Sequence, residues 1–202
     1  MYNDPCNNLI MPKRIGFYCW AGPDTIKMTK LKYFSPVIDS KSLMHSYDLD
    51  YLKQVKDKLG ITDIWATLSW GFGIENEQEQ YKFLLSKLPE MHDLGLKVHA
   101  YIQGPNMIVT KENKKKDIWA KNNFNKDVVY HRGRQVTCIN NPNYLKLQNE
   151  IIDLALDYDF DGIFVDNIWM GQMPIELGPN MTFFGCKCEY CKEKYSNKKK
   201  SF

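Results

Sequence analysis

The sequence predicts an α/β fold with a parallel sheet, and three observations carry that expectation. Short apolar strands alternate with amphipathic helical stretches along the chain. The strands are near-continuous apolar runs, the pattern of a parallel sheet covered by helices on both faces. No glycine-rich phosphate loop follows the first strand: Trp20-Ala-Gly-Pro matches neither a dinucleotide-binding nor a P-loop fingerprint. Doubly wound sheets and (β/α) barrels share the alternation, and the missing phosphate loop favours the barrel.

The elements follow in order. Arg14-Ile-Gly-Phe-Tyr-Cys-Trp20 is short, aromatic and mostly apolar and ends in Ala-Gly-Pro, so it reads as a buried strand. Residues 23–46 show no clear period and contain Pro36, and read as a long loop. Leu49, Leu52, Val55 and Leu59 recur at helical spacing before Gly60, a C-cap. Ile61 to Trp70, closed by Gly71-Phe-Gly73, is the second strand. Tyr81, Leu84, Leu85, Leu88, Met91 and Leu94 mark a helix over 76–94 that Pro89 is expected to kink or divide. Leu96 to Gln103 is the third strand. A polar stretch, 105–140, reads as loop, and its Lys114-Lys-Lys116 run as solvated surface. Asn141-Pro142 starts a helix carried by Tyr144, Leu147, Ile151, Leu154, Ala155 and Tyr158. Asp161-Gly162 turns into Ile163-Phe-Val165, a fourth strand buried on both faces, which ends at Asp166-Asn167. Loop, a cysteine cluster, a short helix near 189–195 and a lysine tail complete the chain.

The first four strands occupy residues 14–166, so eight would need roughly 300 residues, the length of a barrel with insertions. The expected fold is therefore the N-terminal half of a (β/α)8 TIM barrel, residues 1–202, with a Cys-rich loop and short helix over 175–197 inserted after strand four. Such a half leaves two bare sheet edges. The chain is then a fragment, a half-barrel that associates with itself through those edges, or a smaller α/β fold. An apolar fraction of 44% argues against disorder, and a net charge of +3 argues against nucleic acid as a partner. The sequence contains neither a membrane-length apolar run nor the basic start and apolar core of a signal peptide, so a soluble, cytoplasmic chain is expected.

In parallel α/β folds the site lies beyond the C-terminal strand ends. Those ends carry Tyr18, Cys19 and Trp20; Ser69 and Trp70; Tyr101, Gln103 and Gly104; and Asp166, Asn167 and Trp169. The aromatic residues are candidates to stack on sugar rings, with core packing as the competing reading. Asp166 is the sharpest signal: an ionised carboxylate after an apolar strand is costly unless paired or solvated. It suits a nucleophile, a base or an acceptor for a substrate hydroxyl, and otherwise caps the next loop. Glycosidases need a second carboxyl group, and none is evident. Asp63 and Asp161 lie at the opposite strand ends, Glu75 and Glu77 begin a helix, and Asp24 sits in a turn. His131, Arg132 and Arg134 read first as exposed loop charges, and secondarily as holders of a carboxylate or hydroxyl groups. His99, within a strand, reads as a satisfied core histidine.

Six cysteines in a chain this long and apolar do not make a disulfide scaffold. Cys186-Lys-Cys188-Glu-Tyr-Cys191 has the spacing of thiolates converging on one soft metal, most often zinc. This motif supplies three of the four ligands of a closed site, so a fourth must come from afar. Unligated thiols in a loop are the alternative.

Two segments then resemble a known group. Asp161-Gly-Ile-Phe-Val-Asp166-Asn followed by the C-x-C-x2-C motif, with Cys138-Ile-Asn-Asn-Pro-Asn-Tyr144 upstream, resembles the hypothetical glycosyl hydrolases with a TIM barrel. These are similar in turn to α-L-fucosidases, α-galactosidases and the barrel of β-galactosidases. The resemblance covers roughly residues 14–195, the first half of such a barrel. It implies hydrolysis of O-glycosyl bonds, with Asp166 as nucleophile or substrate anchor. Trp20, Trp70, Tyr101, Gln103, Asn167 and Trp169 would contact carbohydrate, and Cys186, Cys188 and Cys191 would hold a structural zinc. The chain departs from the β-galactosidase pattern, where strand four ends in Asn-Glu. It also stops short of the four further strands. A non-catalytic carbohydrate-binding module and a zinc-dependent interaction module around 183–195 are the competing expectations.

Overall fold

The computed structural model describes residues 14–31, 39–131, 133–168 and 185–199. Its centre is a parallel sheet in the order β1 (Gly16–Cys19), β2 (Asp63–Ser69), β3 (Lys97–Gln103) and β7 (Gly162–Asp166). The pairings run Gly16 with Asp63, Asp63 with Lys97, and His99 with Gly162.

The connecting helices are α3 (Leu49–Leu59), α4 (Gln78–Asp93) and α5 (Pro142–Leu156). Local signals fix their ends. The Asp48 carboxylate accepts from Tyr51 N, and Gly60 closes α3 at φ 69°, which an L side chain resists. Asn141 accepts from Asn143 N at 2.8 Å, with Pro142 in the first helical position. Helix α4 has no cap from its own preceding residue. Instead Asp24 reaches over from α1 (Pro23–Lys30) and accepts from Gln80 N at 2.8 Å. Pro89 lies inside α4 without dividing it. The stretch 23–46, expected as loop, contains α1 and the short helix α2 (Ser40–His45), while 32–38 lie outside the described residues.

Among the described residues the helices pack on one face of the sheet, not on two. Leu52, Val55, Tyr81, Leu84, Leu88, Met91, Ile151 and Ala155 bury against Cys19, Ile64, Ala66, Leu68, Val98, Ala100 and Ile102. Each fully buried leucine there contributes about 1.5–3 kcal/mol. The alternate strand residues, on the opposite face, meet one another: Tyr18 lies 5.3 Å from Tyr101, and Trp65 6.0 Å from His99 (ring centroids). Phe164 packs beside Trp65 and Tyr101 on the same face. Strand β7 is not buried as expected. Ile163, Phe164 and Val165 are 36%, 44% and 38% exposed, because β7 pairs on one side only among the described residues.

The polar stretch after β3 is also not plain loop. It forms a small antiparallel sheet, β4 (Asn106–Ile108), β6 (Arg134–Val136) and β5 (Val129–His131), in that order. Ile108 N donates to Gly71 O at 2.8 Å, which seats this sheet at the C-terminal end of the parallel one. Beyond Ile168 the described chain resumes at Gly185 and runs into α6 (Glu189–Lys199). No described helix is long and apolar enough to cross a membrane.

Candidate functional site

Asp166 ends β7 opposite Gln103. Its carboxylate accepts from Tyr101 Oη at 2.6 Å, Asn167 N at 2.7 Å and Asn167 Nδ2 at 2.8 Å. Asn167 has a left-handed backbone, φ 52°, which folds both of its donors back onto Asp166; Asn tolerates that conformation better than most residues. Its Oδ1 accepts from Tyr130 Oη at 3.0 Å. Gly104 N donates to Asp166 O at 2.7 Å, and a Cβ at position 104 would lie 2.3 Å from that oxygen. Only glycine lets β3 approach the end of β7 this closely. Burial, reinforced by the adjacent Asp166 carboxylate, pushes the Tyr101 phenol well above its usual value, so it stays a proton donor.

Trp20 follows β1 and is 37% exposed; its ring meets Trp70 edge-on at 4.6 Å. Trp70 is 7% exposed and belongs to a small apolar cluster with Met28, Phe72, Tyr101 and Ile108. For Trp70 and Tyr101 the core reading therefore holds for most of the side chain, whereas Trp20 and Tyr18 keep surface toward solvent. Gln103 is buried, and its Nε2 has no acceptor among the described residues. Trp169 lies outside the described residues.

Two groups behind this rim escaped the sequence reading. Glu77 is fully buried. Its Oε1 accepts from Trp70 N and from Gly71 N, the latter at 3.1 Å, and its Oε2 accepts from Ser69 Oγ at 2.9 Å. Burial pushes its carboxyl up to about 7 against the pull of those donors. Arg134, expected as an exposed loop charge, is buried as well. It donates from Nη2 to Trp70 O at 2.7 Å and from Nη1 to Asn106 Oδ1 at 2.9 Å, with its guanidinium 5.5 Å from the Trp70 ring centroid. Burial lowers Arg134 only to about 10, so it remains charged at neutral pH. The Trp70 turn is thus held on its N–H side by a carboxylate and on its carbonyl side by a guanidinium. Arg132 and the His131 side chain lie outside the described residues.

At the opposite strand ends the acids serve structure. His99 Nε2 lies 2.8 Å from Asp63 Oδ1, and His92 Nε2 3.0 Å from Asp161 Oδ2, which also accepts from Val98 N. His99 is therefore partnered, as expected. Burial opposes ionisation of Asp63, but Thr62 and His99 outweigh it and hold the carboxyl below its usual range.

A second assembly joins four cysteines. Cys138, Cys186, Cys188 and Cys191 place their sulfurs within 4.8 Å of one another, a group able to hold a metal ion. Cys138 Sγ lies 3.4 Å from the sulfurs of both Cys188 and Cys191. Four thiolates about a tetrahedral ion with ~2.3 Å bonds stand roughly 3.8 Å apart, so the spacing fits. Cys138 supplies the distant fourth position, just ahead of α5. Backbone N–H groups of Lys121 and Cys188 donate to Cys186 Sγ, and Asn140 Nδ2 donates to Cys191 Sγ at 3.2 Å. Lys194 Nζ in turn holds Asn140 Oδ1 at 2.9 Å. The Cys138 thiol beside it, with those N–H groups, draws the Cys186 thiol below its usual range. Cys19 is not part of this group: it is buried, and desolvation pushes its thiol up to about 12.

The chain matches no family model and no protein of curated function. Among solved structures it is similar to a hypothetical protein from Ruminiclostridium thermocellum, at 14% identity and a TM-score of 0.48, over 76% of this chain and 85% of that one.

Proposed function

We propose that the rim carrying Trp20, Trp70, Tyr101, Gln103, Asp166 and Asn167 is a carbohydrate site of the glycoside-hydrolase type. In this reading the four-stranded sheet is half of a (β/α)8 barrel, and the four cysteines hold a structural zinc ion. One observation carries the sugar reading: the Asp166 carboxylate is fixed by three donors at the C-terminal end of a parallel sheet, in a rim edged by the part-exposed rings of Trp20 and Tyr18. Asp166 accepts a sugar hydroxyl, and Trp20 stacks on the C–H face. A half-barrel reading is supported by helices on one face of the sheet and facing aromatic side chains on the other. Glu77 does not serve as the second carboxylate, since it is buried and committed to Ser69, Trp70 and Gly71. Among the described residues no second carboxylate joins Asp166 at this rim, so the reading is one of sugar recognition rather than of the carboxylate pair that hydrolysis needs.

The test is tryptophan fluorescence and calorimetry of the chain with neutral oligosaccharides. Trp20→Ala and Asp166→Asn are each expected to weaken binding by about tenfold or more, the loss of a charge-assisted hydrogen bond or a stacked ring. Absence of binding by the unaltered chain to any of the panel would sink the reading.

The zinc assignment is supported by an all-sulfur, closed set of four ligands. Protein purified without chelator is expected to carry one zinc per chain, and cobalt(II) substitution to give the absorption of a tetrahedral thiolate site. Purified protein free of zinc that also fails to take up cobalt would overturn it.

A further inference from the structure

We infer that a second copy of this chain closes the parallel sheet into an eight-stranded barrel about a two-fold axis running along the strands. The inference rests on the half-barrel reading and extends it to a partner. Strands β1 and β7 are the outer strands of the sheet, and each is hydrogen-bonded on one side only among the described residues. Both run parallel to β2 and β3. A two-fold axis along the strand direction sets β7 of one copy beside β1 of the other, again in parallel. The same operation makes the second seam, so no edge is left over.

The surface fits an interface. Three consecutive apolar residues of an edge strand, Ile163, Phe164 and Val165, are each more than a third exposed, as is Tyr18 on the opposite edge. The chain leading into β7 adds exposed Leu156 and Tyr158. An edge that stays bare is normally charged or interrupted by proline, and the exposed stretch Ile163-Phe164-Val165 carries neither a charge nor a proline.

Charge argues for a copy of the same chain as the occupant. Strand β7 is preceded by exposed Asp157 and Asp159, and β1 by Arg14, which lies 3.9 Å from Asp63 of its own chain but keeps 63% of its side chain exposed. In parallel neighbours these lead-ins lie at the same end of the sheet. The acids of one copy therefore meet the arginine of the other at both seams.

Closure also alters the proposed site. The two-fold axis brings a second Asp166 to the rim, on the strand across the barrel, and so adds a carboxylate to the one found there among the described residues of a single chain. The sugar-bearing rim becomes symmetric, with one Asp166 from each copy.

Sedimentation equilibrium of the full chain at micromolar concentration tests this. The expected mass is twice the 23.7 kDa of one chain. Arg14→Glu and Asp159→Arg are each expected to raise the dimer dissociation constant about tenfold or more, and the double variant to recover it. Ile163→Lys, checked for native circular dichroism, should be monomeric. A monomeric unaltered chain, or a charge-reversed pair that does not recover, overturns the inference. Its failure is separable from that of the sugar reading. A dimer that binds no oligosaccharide removes the sugar site and keeps the barrel; a monomer that binds sugar does the reverse.

Discussion

The Trp70 turn and the cysteine cluster both order irregular backbone beside the parallel sheet, by opposite means. Around Trp70 every charge meets its complement: Glu77 takes the N–H groups of Trp70 and Gly71, and Arg134 takes the Trp70 carbonyl and Asn106. Both charged groups there are engaged by protein partners. The cysteine cluster instead gathers four soft donors with little to accept their charge beyond three N–H groups. Four thiolates this close repel one another unless a cation sits between them. The contrast separates a scaffold whose charged groups are engaged within the protein from a cluster of four sulfurs able to hold an ion.

Four perturbations sharpen that contrast, and the largest effect falls on the cysteine cluster. Cys138→Ser leaves three sulfurs and is expected to cost several kcal/mol, since the free energy of binding a structural metal is folding free energy. Chelator should reproduce the loss in the unaltered protein and add nothing in the variant, read as thermal midpoints. Arg134→Ala comes next. It leaves the buried Trp70 carbonyl and Asn106 Oδ1 without their charged donor, at about 3 kcal/mol. Chelator sensitivity should be unchanged, read by denaturant melts.

Gly104→Ala is smaller, about 1–3 kcal/mol for overpacking, because the new Cβ must push Asp166 aside. Its signature is lost oligosaccharide affinity with zinc content intact. The smallest effect is that of Glu77→Gln at neutral pH, where the amide keeps the acceptor for Trp70 and Gly71. The pH dependence is the sensitive measurement. The Glu77 carboxyl is raised in the folded state to about 7 from the usual 4.5, so the folded protein binds this proton more tightly than the unfolded chain. Stability from this group is full below about 4.5 and lost as pH rises through about 7. Glu77→Gln should flatten urea midpoints across that window, and an unchanged slope would remove Glu77 as its source.

Much of the parallel sheet was legible because it is local. Apolar runs closed by Gly71-Phe-Gly73 or Gly104-Pro105, and caps such as Asn141 and Gly60, announce themselves within a few residues. What escaped depends on distance or on context. Helix α1 hides because Pro23–Lys30 is mostly polar and buries Asp24 in order to cap α4. The strands of the small antiparallel sheet are three residues each, too short for a period to emerge. Glu77 looks like any acid before a helix, and only the return of the 69–71 turn onto it makes it a buried anchor. Cys138 stands alone in sequence, 50 positions from Cys188, so the three-cysteine motif implied a fourth ligand without saying which. Asp166 was legible from its strand, but the buried setting expected for that strand was not found, since burial there depends on what lies beyond the edge.

The position of β7 sets the order in which the sheet opens. Strands β2 and β3 are flanked on both sides, so their amide protons exchange only in the rarest openings. Among the described residues strand β7 leans on β3 alone, as β1 does on β2, and amides of such outer strands exchange through shallower fluctuations. Asp166 ends β7, so the carboxylate proposed to meet a ligand rides on an outer strand of the sheet, and whatever covers that edge slows its exchange.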